Sequence, residues 1–174
     1  MSTIVTVPDS VLREISKPVS VLDEKTTSII QDMIRLLKAT RDPVGVGLAA
    51  SQIGIPLRIF LLREKELDEP TVFINPEIIK YSQRQQHPDK KNGTYEGCLS
   101  IPHHYAPVTR SMSVTVKYQD EKFAQKTKVF SAFSAHIIQH ELDHLNGILF
   151  IDRVLEQNAK LYKVEGKTWT ELSL

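Results

Sequence analysis

The amino-acid sequence predicts a single α+β domain, on three observations. The chain has 174 residues, of which 41% are hydrophobic and 25% charged, as is usual for one globular domain. Two segments, residues 23–41 and 131–145, are predicted to be helices, and residues 57–81 and 113–130 contain short runs typical of strands. No linker, repeat or low-complexity tract divides the sequence. We therefore expect residues 1–174 to form one domain.

The first half of the chain is predicted to contain an extended arm, one helix and the first strands. Asp23 can cap the helix, and the Asp42-Pro43 pair is expected to lie beyond its end because proline disfavours helical backbone in the residue before it. Strands are predicted for residues 57–62, 72–74 and 78–81, with Pro76 ending the second of them, and the polar residues 83–94 are predicted to form a loop.

The second half is predicted to contain a strand pair followed by the second long helix. Residues 113–118 alternate apolar and polar side chains, as a half-buried strand does, and residues 126–130 are their expected partner. The helix over 131–145 is expected to stop near Gly147. The sequence predicts no element for residues 156–174.

Charge, cysteine count and hydropathy exclude several classes of protein. The formal net charge is +1, so electrostatics predict no direct nucleic-acid partner and no membrane surface. No apolar run approaches the length of a membrane span, and the N-terminus lacks the pattern of a signal peptide. A single cysteine forms no internal disulfide and stays reduced in the cytosol. We expect a cytoplasmic protein.

The strongest functional signal is the segment His140-Glu141-Leu142-Asp143-His144 in the second helix. Residues four apart on a helix share one face, with Cβ atoms roughly 5–6 Å apart, so the two imidazoles can converge on one cation. The metal would acidify a water molecule, and Glu141 beside His140 can take its proton. The alternative interpretation is a solvated helix face that carries two histidines.

A third metal ligand has several candidates. Zinc peptidases with the longer motif supply a downstream histidine, but Phe150 stands at that position. Glu156 and Glu165 are available carboxylates, whereas Cys98 offers a thiolate, a strong ligand for borderline-soft divalent metals. A Cys/His/His set also leaves a coordination position open, as catalysis requires. The alternative for Cys98 is a small buried hydrophobic residue.

Two further histidine positions are interpreted as accessory. His136 extends the same helical stripe but lies about 12 Å along the axis from His144, so the two cannot hold one ion. We expect it on the helix surface or behind the ligands. His103 and His104 follow Cys98 closely and could contact a substrate, but an ordinary loop position is the simpler prediction.

Three segments together resemble the motifs of the peptide deformylase family. They are Gly-Val-Gly-Leu-Ala-Ala-Ser-Gln at 45–52, Glu-Gly-Cys-Leu-Ser at 96–100 and Gln-His-Glu-Leu-Asp-His-Leu-Asn-Gly at 139–147. Residues 8–13, 74–76 and 149–153 also fit, so the resemblance covers nearly the whole chain except the tail. Three motifs in order make it far more specific than any one of them.

The resemblance implies antiparallel strands packed around a central metal-binding helix, and hydrolysis of the formyl group of N-formylmethionine on nascent polypeptides. It assigns the metal to Cys98, His140 and His144, with ferrous iron expected and nickel, cobalt or zinc as substitutes. Glu141 would be the base and later the acid. Gln52 and the backbone N–H of Leu99 would form the oxyanion hole, in which each donor typically lowers the barrier by about 3–4 kcal/mol. A monomer is expected, with the ribosome as a candidate partner.

A peptide substrate could lie as an added strand along the glycine-rich segment. The substrate-binding residues implied by the resemblance are Val44, Gly45, Val46, Gly47, Gly97, Leu99, Tyr105 and Ile137. Of these, Val46, Leu99 and Ile137 would surround the methionine side chain. Each of these roles has a simpler alternative. The glycines could serve only tight packing, the apolar residues could be ordinary core positions, and Gln52 could be a surface amide.

The sequence departs from the family pattern at two positions. Tyr105 stands where many members have an arginine that reaches the peptide backbone, which indicates altered substrate contacts. Val44 stands where many have an acidic partner for the arginine at the position of Arg110, so Asp42 or another residue must pair with Arg110. Three other functions remain: the same scaffold with another N-acylated substrate, a zinc peptidase, and a non-catalytic metal-storing or ribosome-associated protein.

Overall fold

The computed structural model describes residues 2–66, 68–88 and 95–173, which fold into helices and antiparallel sheets. The helices are α1 (Glu24–Ala39), α2 (Ala132–Leu145) and α3 (Phe150–Glu156). The strands are β1 (Gly47–Ala49), β2 (Ile59–Leu62), β3 (Thr71–Tyr81), β4 (Gln85–Gln86), β5 (Glu96–Cys98), β6 (Ile101–Ala106), β7 (Arg110–Ser111), β8 (Ser113–Gln119), β9 (Gln125–Ser131), β10 (Leu161–Glu165) and β11 (Thr168–Leu172). Short 3-10 turns cover Ser10–Arg13 and Ala50–Ile53. The predicted α+β class is confirmed.

All strand pairs in the described residues are antiparallel, as predicted. The larger sheet has the order β1-β2-β3-β8-β9. A second sheet has the order β11-β10-β6-β5, and β4 pairs with β7. In the second sheet β6 lies between β10 and β5, so the last two strands belong to the same sheet as the cysteine of β5.

Strand β2 illustrates how helices cover both faces of the larger sheet. Ile59 and Leu61 pack in the core cluster that includes α1, whereas Phe60 and Leu62 pack in the cluster that includes α2. Because successive side chains of a strand point to opposite faces, α1 and α2 lie on opposite sides of the sheet. Burial on both faces explains why residues 59–62 are apolar without alternation.

Helix α2 is the buried centre of the molecule. Every residue from 135 to 145 is buried, including six polar ones: His136, Gln139, His140, Glu141, Asp143 and His144. Burying polar groups costs free energy unless they are paired, so this helix face indicates a functional site rather than a packing surface. The solvated-helix alternative is therefore wrong.

The predicted helix ends are confirmed by their capping contacts. The Asp23 side chain accepts a hydrogen bond from the Thr26 N–H at 2.7 Å, and α1 ends at Ala39, before the Asp42-Pro43 pair. Gly147 follows α2 with φ of 71°, a backbone conformation that favours glycine.

The strand predictions around residues 72–81 were wrong about Pro76. It does not end the strand, because β3 continues through it to Tyr81. The ladder between β3 and β8 shifts register between Ile74 and Glu77. Such an irregularity lets a proline, which has no N–H to donate, remain inside the strand.

Two loop predictions and the unplaced tail also need correction. Residues 83–94 include the short strand β4, while residues 89–94 of that segment lie outside the described residues. His103 and His104 lie within β6 rather than in a loop. Helix α3 ends where the tail begins, and the tail forms the antiparallel pair β10 and β11, called here the C-terminal hairpin. Among the described residues, no helix has both the length and the apolar character needed to cross a membrane.

Candidate metal centre and active site

Three candidate metal ligands converge where β5 meets α2. Cys98 ends β5, and His140 and His144 lie one turn apart on the helix. One ligand atom from each residue lies within 4.8 Å of the others, and the Cys98 Sγ is 3.2 Å from the His144 Nε2. All three side chains are buried. A thiolate and two imidazoles at this spacing fit a borderline-soft divalent metal.

The hydrogen bonds around the cluster leave donor atoms available. The His140 Nδ1 lies 2.6 Å from the Glu96 carboxylate, which leaves its Nε2 free to bind a metal. The His144 Nδ1 and the Glu141 Oε2 are buried and have no hydrogen-bond partner among the described residues. Unpartnered buried polar atoms are uncommon in a purely structural core, and a free Glu141 oxygen in the wall of the cavity that Cys98 also lines fits a site that binds a metal and a water.

Glu96 joins the metal ligands to the rest of the core. Its carboxylate accepts two hydrogen bonds from the Arg110 guanidinium, at 2.7 and 3.0 Å, in addition to its contact with His140. The His136 Nε2 lies 2.7 Å from the other Glu96 oxygen. His136 therefore lies behind the ligands, one of the two positions expected for it.

Arg110 has partners other than the residue proposed for it. Besides Glu96 it contacts Asp143 at 2.6 Å, and Asp143 in turn pairs with Arg153 at 2.6 Å. Asp42 is exposed and does not pair with Arg110. Arg110 is therefore paired on both sides without an acidic residue at position 44.

The buried carboxylates at the site have opposite electrostatic environments. Burial raises the pKa of Glu141 to about 7, so it can exchange a proton near neutral pH. Burial also acts to raise the pKa of Glu96, but Arg110 and His140 outweigh it and hold that pKa well below its ordinary value. Glu96 is therefore ionised at neutral pH, whereas Glu141 can take up and release a proton there.

Gln52 occupies a buried position in the 3-10 turn after β1. Its Oε1 accepts from the Ala49 N–H at 2.9 Å, and its Nε2 donates to the Ser100 Oγ at 3.2 Å and the Cys98 Sγ at 3.5 Å. It is 1% exposed, so the surface-amide alternative is wrong. The amide is oriented with its donor group toward the candidate ligands.

A cavity of about 250 Å³ opens onto this cluster. The eight residues expected to bind substrate all line it: Val44, Gly45, Val46, Gly47, Gly97, Leu99, Tyr105 and Ile137. Gln52, Cys98, His140 and Glu141 line it as well. Sequence reasoning missed Tyr95 and Phe133 in the wall, since neither belongs to a motif.

Close packing explains why glycine occupies position 47. A Cβ atom there would lie 2.1 Å from the Glu141 Oε1 and 2.8 Å from Ile137. Gly97 is similarly covered, because a Cβ atom would lie 2.6 Å from the Tyr105 ring. The buried Arg63 guanidinium donates to the Gly45 carbonyl at 2.7 and 3.0 Å and so holds this segment in place.

The α+β fold and the buried Cys/His/His cluster beside a carboxylate define a metal-dependent hydrolase, and comparison with known proteins agrees. A family model described as polypeptide deformylase matches residues 1–160. The peptide deformylase of Pseudothermotoga lettingae is 45% identical over 146 residues, covering 84% of this chain and 78% of the relative. That of Bartonella henselae is 44% identical over 155 residues, covering 87% and 83%.

Solved structures give the same result. Peptide deformylase from Thermotoga maritima has a TM-score of 0.78 at 37% identity, covering 88% of this chain and 97% of that one. The Met-Ala-Ser-bound enzyme from Acinetobacter baumannii has a TM-score of 0.77 at 30% identity, covering 88% and 98%. The chain belongs to the peptide deformylase family. It is a metallohydrolase that removes the N-formyl group of nascent peptides, with release of formate.

Proposed function

We propose that residues 1–174 form one catalytic domain in which Cys98, His140 and His144 hold a divalent metal. The observation that carries the proposal is the convergence of their ligand atoms within 4.8 Å beside the cavity. A thiolate with two imidazoles suits ferrous iron, and nickel, cobalt or zinc can take its place. When bound, the metal supplies Lewis acidity that polarises the formyl group and acidifies water.

Glu141 acts as the proton carrier of the hydrolysis. Its buried carboxyl, with a pKa raised to about 7 by burial, takes a proton from the attacking water. Water oxygen adds to the formyl carbon, the C–N bond breaks, and Glu141 returns the proton to the leaving amine. The products are formate and the free amino terminus.

Two neutral donors stabilise the charge that develops on the formyl oxygen. They are the Gln52 Nε2 and the backbone N–H of Leu99, the residue after Cys98 in the chain. The fixed orientation of Gln52, held through its Oε1 by the Ala49 N–H, supports this role because a preorganised donor needs no rearrangement during the reaction.

The peptide lies along residues 44–47, between them and Gly97, with Tyr105 beyond. Val46, Leu99 and Ile137 surround the methionine side chain. The cavity lining supports this path, as does the structural likeness to the relative that carries Met-Ala-Ser. Tyr105 favours one alternative, an N-acyl substrate other than formylmethionine, because it replaces a residue that many members use for substrate contact.

Formate release from formyl-Met-Ala-Ser by anaerobic, iron-loaded protein tests the proposal. We expect rapid release, loss of both metal and release in Cys98→Ala, and metal retention without release in Glu141→Gln. The alternative substrate would be favoured if the wild-type protein binds metal and releases no formate from this peptide, but hydrolyses another N-acyl peptide. A Glu141→Gln protein that turns over normally would remove Glu141 from the mechanism.

The substrate indicates where in the cell the reaction takes place. Formylated nascent chains emerge from the ribosome, so we propose that the protein works in the cytoplasm, as a monomer, near the ribosomal exit. Sedimentation with purified ribosomes and size-exclusion chromatography with light scattering test these points. A dimer at micromolar concentration would contradict the monomer.

A further inference from the structure

Four aromatic side chains form one continuous patch beside the cavity, here called the aromatic platform: Tyr95, Tyr105, Tyr162 and Trp169. Trp169 is central to it, because its ring centroid lies 5.6 Å from Tyr95, 5.6 Å from Tyr105 and 5.9 Å from Tyr162. Tyr95 and Tyr162 are also stacked, at 5.7 Å. Contacts of this spacing are favourable and hold the rings in fixed orientations.

The platform joins the cavity to a part of the chain that lies beyond the family match. Tyr95 and Tyr105 line the cavity. Tyr162 and Trp169 belong to the C-terminal hairpin, which begins after residue 160, where the match to the family model ends. The hairpin is attached by the pairing of Tyr162 with Tyr105 in the second sheet. The contact therefore joins cavity residues inside the matched region to a hairpin outside it.

Packing in the hairpin buries only part of the Trp169 side chain. It remains 50% exposed although it touches three tyrosines. Exposed aromatic surface that continues into a ligand cavity is typical of a ligand contact. Lys160 pairs with Glu171, Lys163 pairs with Glu165, and Lys167 lies in the turn between β10 and β11. Most charged side chains of residues 160–172 are therefore paired, and the surface around Trp169 mainly offers aromatic contact.

The distance between the platform and the candidate metal ligands indicates which residues of a bound peptide would lie beside the platform. Tyr95 immediately precedes β5 and lies three residues before Cys98, a separation of about 10 Å along an extended chain. A peptide bound as a strand with its formyl end at the Cys98 end of the cavity advances by a similar amount. The second and third residues of the peptide then lie beside the platform.

We propose that the aromatic platform is a specificity subsite that binds aromatic side chains at the second or third residue of the formylated peptide. This inference rests on the proposed function of the cavity. Tyr105 connects the two parts of the subsite, because its side chain lines the cavity and its ring contacts Trp169. Aromatic stacking of this kind favours a phenylalanine over an alanine by about three- to tenfold in kcat/KM.

Kinetics with paired peptides test the subsite. We expect wild-type, metal-loaded protein to prefer formyl-Met-Phe-Ala or formyl-Met-Ala-Phe over formyl-Met-Ala-Ala by about three- to tenfold, mainly through KM. Trp169→Ala should bring this ratio close to one. Thr170→Ala, an exposed neighbour on the same strand, is the matched control and should keep the wild-type ratio.

Fluorescence gives a second readout that needs no substitution and no turnover, because Trp169 is the single tryptophan of the chain. Titration with the product peptide Met-Ala-Phe or Met-Phe-Ala should change its emission saturably, and Met-Ala-Ala should change it less. Formate release at equal rates from all three peptides, with unchanged emission, overturns the subsite alone. Release from none of them overturns the proposed function instead.

Discussion

The absence of a side chain at Gly47 leaves the space that the Glu141 carboxylate occupies. Its Cα faces Glu141 so closely that an added Cβ would lie 2.1 Å from the carboxylate oxygen. The tight-packing interpretation therefore holds for Gly47, and its packed partner is the candidate base; substrate pairing along the glycine-rich segment stays a prediction.

We predict that Gly47→Ala displaces Glu141 and lowers kcat by about a hundredfold, because small misplacements of a reacting group have effects of that size. The measurement is formate release at saturating substrate. Gly166→Ala is the control, since a Cβ there meets nothing within 4 Å. Its positive φ costs about 1–2 kcal/mol of stability without affecting turnover. Equal losses in both variants would contradict the steric explanation.

Glu96 gives a pH dependence whose sign is determined by its pairing. Burial would raise its pKa, but Arg110 and His140 hold it well below the ordinary value of 4.5. A group with a lowered pKa in the folded state stabilises the fold above its unfolded pKa, and that stabilisation is lost as pH falls through the folded pKa. We predict that Glu96→Gln flattens the decline of the unfolding free energy below pH 4.5.

Urea unfolding of the wild-type protein and Glu96→Gln at pH 6, 4.5 and 3.5 measures this slope. The substitution keeps the shape of the side chain, so a large loss of stability at pH 6 with a reduced loss on acidification is the expected pattern. Identical slopes in both proteins would show that other carboxylates account for acid unfolding.

At the scale of elements, one arginine connects three pieces of the fold. Arg110 of β7 pairs with Glu96 of β5 and Asp143 of α2, and all three side chains are nearly inaccessible to solvent. Two of these elements carry the candidate metal ligands. The ion network therefore sets how β5 approaches the helix.

We predict that Arg110→Met lowers the unfolding free energy by about 3–5 kcal/mol, because it leaves buried carboxylates without their partner. Arg35→Met is the control, since the Arg35–Asp32 pair is largely exposed and such pairs contribute about 0–1 kcal/mol. Urea unfolding at neutral pH measures both. A similar small loss in both variants would mean that the buried network is not important for stability.

At the scale of the whole molecule, the candidate metal site brings together ligands that are far apart in the sequence. Cys98 comes from one sheet and the histidines from the central helix, more than 40 residues later in the chain. The unfolded chain does not hold these groups together, so a metal that binds them stabilises the folded state.

We predict that removing the metal with a chelator abolishes formate release and lowers the melting temperature. The stabilisation is about 2.7 kcal/mol when free metal is a hundred times its dissociation constant. Differential scanning calorimetry with and without added ferrous iron measures the shift, under anaerobic conditions. Cys98→Ala should show no shift on adding metal; a shift equal to that of the wild-type protein would exclude Cys98 as a ligand.

Local features of the sequence predicted most elements and the candidate site. Helical spacing alone placed His140 and His144 on one face, because a helix repeats every 3.6 residues. Donor chemistry favoured Cys98 over the available glutamates, and the three-motif resemblance specified the roles of Gln52 and Leu99. The boundaries of α1 and α2 followed from caps and breakers, which act on neighbouring residues only.

The sequence by itself determined the α+β class, the family and the set of candidate ligands, since these depend on periodicity, residue chemistry and motifs. Only the tertiary structure decided that Arg110 pairs with Glu96 and Asp143, that β3 continues through Pro76, and that the C-terminal hairpin brings Trp169 to Tyr105. Each of these depends on which distant groups packing brings together. Several partners of equal chemistry were available along the chain, and only the packed arrangement selects among them.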